Sequence, residues 1–149
     1  MAQVLRRRNR VQLRLAQHER EALLHVVDSL AVQIQEVLQG GQRAYVDDAN
    51  QADFDRWVRP DIERGRDADI GAVRDALEAG EDTIILSETQ AYCWLRALNH
   101  LRLAAGAALG ISEDDWAAKL AEEQREGDEY RMLTVLSYLQ EDFVAALEA

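Results

Sequence analysis

His18, Glu21 and His25 fall three and four residues apart, so a helix would present them on one face. Two neutral imidazoles and a carboxylate at that spacing are ligands a divalent metal accepts. A closed site needs a fourth ligand and the sequence nominates none, so the triplet reads as an ordinary polar helix face with no metal expected. Cys93 and His100 are the second pairing, because a neighbouring imidazole is one way to activate a thiolate. Seven residues of helix separate them by about 10 Å of rise, too far for contact. Cys93 is therefore read as a buried thiol, and remains the one candidate for redox chemistry.

Two groups of arginines could grip a carboxylate, since a guanidinium presents a planar fork of donors. The first is Arg6, Arg7, Arg8 and Arg10 near the start of the chain; the second is Arg96 and Arg102, with Asn99 between them. Both are candidate partner contacts. The plainer readings are a solvated edge hairpin, on which charge discourages aggregation, and arginines paired with acids of neighbouring helices. No glycine-rich phosphate loop, nucleophile elbow or HExxH motif is present, and no acid, base and nucleophile are linked. No enzyme and no cofactor are expected; a small metal-binding or thiol-dependent protein using His18, Glu21, His25 or Cys93 is the weaker alternative.

The elements that must position these residues are mostly helices. Ser87 and Gln90 form a capping box. Ala91, Trp94, Leu95, Leu98, Leu101, Ala105, Ala108 and Leu109 then draw one apolar stripe, ended by Gly110, which marks the central helix of a small bundle. Val11, Leu13 and Leu15 alternate with Gln12 and Arg14, which is the period of a half-buried strand. Val4 and Leu5 precede it, and Arg8-Asn9 suits a tight turn in which asparagine takes positive φ. A β-hairpin is expected there, and Thr83 to Leu86 could add a third strand.

A second helix runs over Gln17 to Leu38 and stops at Gly40-Gly41, with a polar loop from Gln42 to Gln51. Phe54, Trp57 and Val58 mark a short segment expected to stop before Pro60, because proline disfavours helix at the residue before it. Asp61 to Ala79 forms another helix ending at Gly80. Ser112, Asp115, Trp116 and Leu120 open a further helical turn. Asp128 caps a last helix with the stripe Met132, Leu133, Leu136, Leu139, Phe143, Val144 and Leu147. The expectation is a mainly α fold of about five helices with an N-terminal hairpin or three-stranded edge sheet, over 1–149 as a single domain: 1–15 the basic hairpin, 16–149 the helical body.

Composition bounds what such a domain could do. The 149 residues are 48% hydrophobic and 30% charged, which suits a globular chain and not a disordered one. Net charge is −11, yet the first 14 residues carry five arginines and no acid, leaving −16 on the rest. An acidic body repels a phosphate backbone, so no direct nucleic-acid contact is expected. A single cysteine excludes an internal disulfide and any multi-cysteine metal site. Without an apolar run or leader, a soluble, cytoplasmic protein away from membranes is expected. All but one of the 17 basic residues are arginine, which points to a GC-rich genome.

The stretch WLRALNHLRLAAGAALGI, Trp94 to Ile111, resembles the signature helix of a small actinobacterial family, domain of unknown function twenty-seventeen. Its members show WLRALNDLRL…LGTRLGI here. RRRNRVQLRLAQHEREAL at the start and YLQEDFVAAL near the end resemble the same family. His100 stands where an acid is usual, Ala107 for threonine and Ala108 for arginine. The resemblance implies little chemistry. Family genes commonly lie beside that of the Clp protease adaptor, and members are described as uncharacterised or as oxidative-stress regulators. It therefore implies a non-enzymatic module that acts on transcription through a protein partner such as a sigma factor, with a Clp component as the alternative partner. A sensor with one cysteine would have to use sulfenylation of Cys93, a mixed disulfide or an interchain disulfide. A homodimer through the final helix and the alanine-rich half of the central helix is compatible with each reading.

Overall fold

The computed structural model describes residues 2–39, 47–108 and 127–148. Expectations for Gly40-Gly41, for the Gly110 cap and for the helical turn opened by Ser112 lie outside these residues. So do the side chains of Ile34, Val37 and Leu38. The described chain runs β1 (Gln3–Arg7), β2 (Arg10–Arg14), α1 (Gln17–Gln39), α2 (Asp48–Asp53), a wide π-type turn (Phe54–Val58), α3 (Arg59–Glu78), β3 (Thr83–Ser87), α4 (Glu88–Ala108) and α5 (Asp128–Glu148). The fold is mainly helical, as expected, with four long helices and the short α2 among the described residues.

The three strands form an antiparallel sheet in the order β1-β2-β3. Arg7 opposes Arg10 across the hairpin, and Val11 opposes Leu86 in the third strand. Val11, Leu13 and Leu15 are buried on the inner face, as their alternation requires, and Ile84 and Leu86 join them. The hairpin turn differs from expectation in one respect. Arg8, not Asn9, takes the left-handed conformation, with φ 58°. That geometry crowds a side chain's Cβ against its own backbone. The Arg8 carbonyl accepts a hydrogen bond from Arg6 Nε at 3.1 Å, which helps hold the turn.

Strand-to-helix junctions repeat one device. The Ser87 amide donates to Gln90 Oε1 at 2.9 Å while the Gln90 amide donates to Ser87 Oγ at 3.1 Å, closing the capping box that starts α4. At α1 the Ala16 amide donates to Glu19 Oε1 at 3.1 Å. Gly80, at φ 76°, lets the chain leave α3 and enter β3. Gly127 precedes α5, its carbonyl accepting the Arg131 amide at 3.2 Å.

Two expectations fail between residues 47 and 62. Asp48 to Gln51 is helix, not loop, because Asp47 caps it by accepting from the amides of Ala49 and Asn50. Nor does helix stop before Pro60. The π-type turn puts the Arg59 amide on the Phe54 carbonyl, five residues back, and Arg59 stays helical at φ −55°. Pro60 thus falls in the first turn of α3, where a missing N–H is tolerated.

Helix α4 packs on α1, α3, α5 and the sheet, so it is the central element. Ala91, Trp94, Ala97, Leu98, Leu101, Ala104 and Ala105 are buried along it. Trp94 stacks on Phe143 of α5 with ring centroids 5.7 Å apart. Arg6 reaches both the start of α4, through Glu88, and the end of α5, through the Leu147 carbonyl, so these two helices run antiparallel. Leu133, Leu136, Leu139 and Phe143 of α5 are buried as expected, while Val144 turns outward and Ala146 takes the inward place. Among the described residues no helix is long and apolar enough to cross a membrane.

Candidate functional site

The outer face of the sheet is the first candidate. Because side chains alternate along a strand, the registers put Gln3, Arg14 and Thr83 in one row, Leu5, Gln12 and Ile85 in the next, and Arg7, Arg10 and Ser87 in the third. Arg7, Arg10 and Arg14 are exposed, and Ile85 is 54% exposed between their rows. Arg7 and Arg10 are directly opposed across the strands, an unfavourable like-charge pair. Arg8 adds a fourth exposed guanidinium at the turn. Among the described residues none of these four side chains has a hydrogen bond or ion pair. This face offers fixed positive charge around a small apolar centre.

Arg6 belongs elsewhere. Its guanidinium donates to the Leu147 carbonyl at 3.3 Å and lies 3.6 Å from Glu88. A cation at the carbonyl end of α5 and an acid in the first turn of α4 both satisfy the helix dipoles. Arg6 is thus a clamp that ties β1 to two helix ends.

The second candidate is the seam between α3 and α4. Asp69 receives Arg96 in a two-pronged contact, Nε to Oδ2 at 2.9 Å and a terminal nitrogen to Oδ1 at 3.1 Å, and Cys93 Sγ lies 3.2 Å from Oδ1. Burial opposes the charge on Asp69, but the bonds from Arg96 and Cys93 outweigh it and hold the carboxyl below its ordinary range. Burial first, then the bond to Asp69 and its charge, push the Cys93 thiol up to about 11. The thiolate on which oxidation and mixed disulfides depend is therefore scarce near neutral pH. His100 is held below its usual value by burial and by the charge of Arg66. The Arg66 side chain is only 6% exposed and contacts Asp67 at 3.2 Å.

Arg96 and Arg102 do not act together. Six residues of helix turn them about 120° apart, and Arg102 reaches Asn99 Oδ1 at 3.3 Å while Arg96 faces α3. Among the described residues the Arg102 Nε is buried without a hydrogen-bond partner. His18, Glu21 and His25 are likewise not assembled into a centre. Glu21 accepts from Gln17 Nε2 at 3.1 Å, and His18 lines a groove between α1 and α5. Among the described residues no group of three or more potential ligands could hold a metal ion. Asp69, Arg66 and Glu88 escaped the sequence reading because each acts on a residue of another element, and no local spacing signals that.

With this geometry in hand, comparison with known proteins adds one finding. A family model described as "Domain of unknown function (DUF2017)" matches residues 42–147, more than two thirds of the chain. The chain belongs to this family. The match takes in the α3–α4 seam, β3 and α5, and begins after β1, β2 and α1, so the hairpin arginines lie outside it. No curated protein and no solved structure matches the chain.

Proposed function

We propose that this DUF2017 member is a non-enzymatic interaction module that meets an acidic protein partner with the outer face of its three-stranded sheet. One observation carries the reading: on a chain with 28 acids and 17 bases, Arg7, Arg8, Arg10 and Arg14 have no acid at all among the described residues. Arg6, Arg20 and Arg96 are each paired with an acid, and Arg74 with two. An acidic body confronting nucleic acid would lose what a few arginines gain. An acidic protein surface instead gains both steering and register from them. The proposed setting is stress-linked transcription control through a sigma factor, in keeping with the family resemblance. A trigger through Cys93 would have to overcome the bond to Asp69 that keeps it a thiol.

Affinity capture from host lysate tests this, with wild-type chain and an Arg7→Glu/Arg10→Glu/Arg14→Glu variant as baits, with and without oxidant. Recovery of a sigma factor or RNA polymerase by wild type and not by the variant is the expected result. Recovery of a Clp component in the same manner would move the protein to regulated proteolysis. Equal recovery by both baits would overturn the proposed face.

A further inference from the structure

Helix α5 carries a second stripe that the core does not use. Arg131, Val135, Tyr138 and Asp142 are exposed at spacings of four, three and four, which places them within roughly 60° of arc. Val135 is 49% exposed and Tyr138 65%. Val135, Tyr138 and Asp142 also line a groove of about 560 Å³ between α5 and α1, whose other wall includes Glu19, Ala22 and Val26. An exposed aromatic beside an apolar groove on one helix is a knob next to a hole.

We infer that this face is a two-fold interface with a second copy of the chain, built on antiparallel contact of α5 with the partner's α5. A two-fold contact must be self-complementary, each residue meeting its counterpart's partner reciprocally. The spacing of the stripe meets that condition. When two copies are set antiparallel with Val135 level with Tyr138 of the partner subunit, Arg131 falls level with Asp142 of the partner subunit. The same match recurs on the other side of the axis. Both apolar contacts and both opposite-charge pairs form in one register, and a shift by a turn of helix loses both.

This contact differs from the homodimer expected from sequence. The alanine-rich half of α4 cannot serve it, because Ala104 and Ala105 are buried in the chain's own core. Nor does the main stripe of α5, which packs on α4.

Sedimentation of the full chain over a dilution series tests the inference. Wild type is expected to dimerise reversibly. Arg131→Asp and Asp142→Arg, each alone, should weaken dimerisation roughly tenfold or more, since each reversal turns two attractions into repulsions. Mixing the two variants should restore a heterodimer near wild-type affinity, because every level pair is again opposite in charge. Circular dichroism of each variant checks that it is folded. A wild type that stays monomeric throughout would overturn the inference. So would a dimer indifferent to both reversals, or folded variants whose mixture associates no better than either alone.

Discussion

The arginines of the sheet face and those of the α3–α4 seam are chemically identical and are used in opposite ways. At the seam, Arg96 meets Asp69 through two nitrogens, and the carboxylate it meets is also bonded by Cys93. On the sheet, Arg7, Arg10 and Arg14 share one surface with no acidic partner among the described residues, and two of them oppose each other directly. Acids are in excess on this chain, so leaving three cations together is not a consequence of scarcity. Pairing at the seam joins two helices. The absence of pairing on the sheet keeps a field directed outward.

That contrast is open to direct attack. The largest expected effect belongs to the Arg7→Glu/Arg10→Glu/Arg14→Glu variant: partner affinity should fall roughly a hundredfold or more, from loss and reversal of three charges at one interface. Its melting temperature should not fall, because the like-charge opposition of Arg7 and Arg10 contributes nothing to the fold. Next, Asp69→Ala should cost about 1–3 kcal/mol in denaturant unfolding, since it strips Arg96 and Cys93 of their shared acceptor. The same change should speed alkylation of Cys93 at neutral pH, by removing both the bond and the charge that oppose the thiolate. Neither effect should touch partner capture.

Smaller still, Arg8→Gly should raise stability by about 1 kcal/mol, because glycine takes φ 58° without the crowding of a Cβ. A fall instead would mean that the turn draws support from the arginine side chain. The smallest effect is a pH dependence. Burial and Arg66 depress His100 in the folded chain, so the unfolded chain binds its proton more readily. Stability should therefore decline as pH drops below about 6.5, and His100→Gln should flatten that slope in urea titrations at several pH values. Asp69, also depressed, adds a further loss only at acid pH, below about 4.

What was legible in the sequence follows the range of the physics. The Ser87–Gln90 box, the alternation of Val11, Leu13 and Leu15, and the third strand at Thr83 are local patterns, and each forms as read. The Trp94 stripe was legible because burial of one helix face imposes a fixed period. Arg8 taking the turn that Asn9 was expected to take is a near miss, decided by how the hairpin closes. Pro60 inside helix was not legible, since a π-type turn leaves no mark in residue spacing. The Asp69 contacts were out of reach for another reason: Cys93 and Arg96 lie 24 and 27 residues away in the chain. Arg96 and Arg102 look like a stripe in sequence only until the helix's 100° step per residue is applied.

The most direct test of the central claim compares three baits in one capture experiment: wild type, the triple sheet-face reversal, and Arg96→Ala from the seam, each first checked by thermal melting. The account predicts that the reversal melts like wild type and loses the partner, while Arg96→Ala melts lower and keeps it. A sheet-face variant that retains the partner, or a seam variant that alone loses it, would contradict the division of labour between the two sets of arginines.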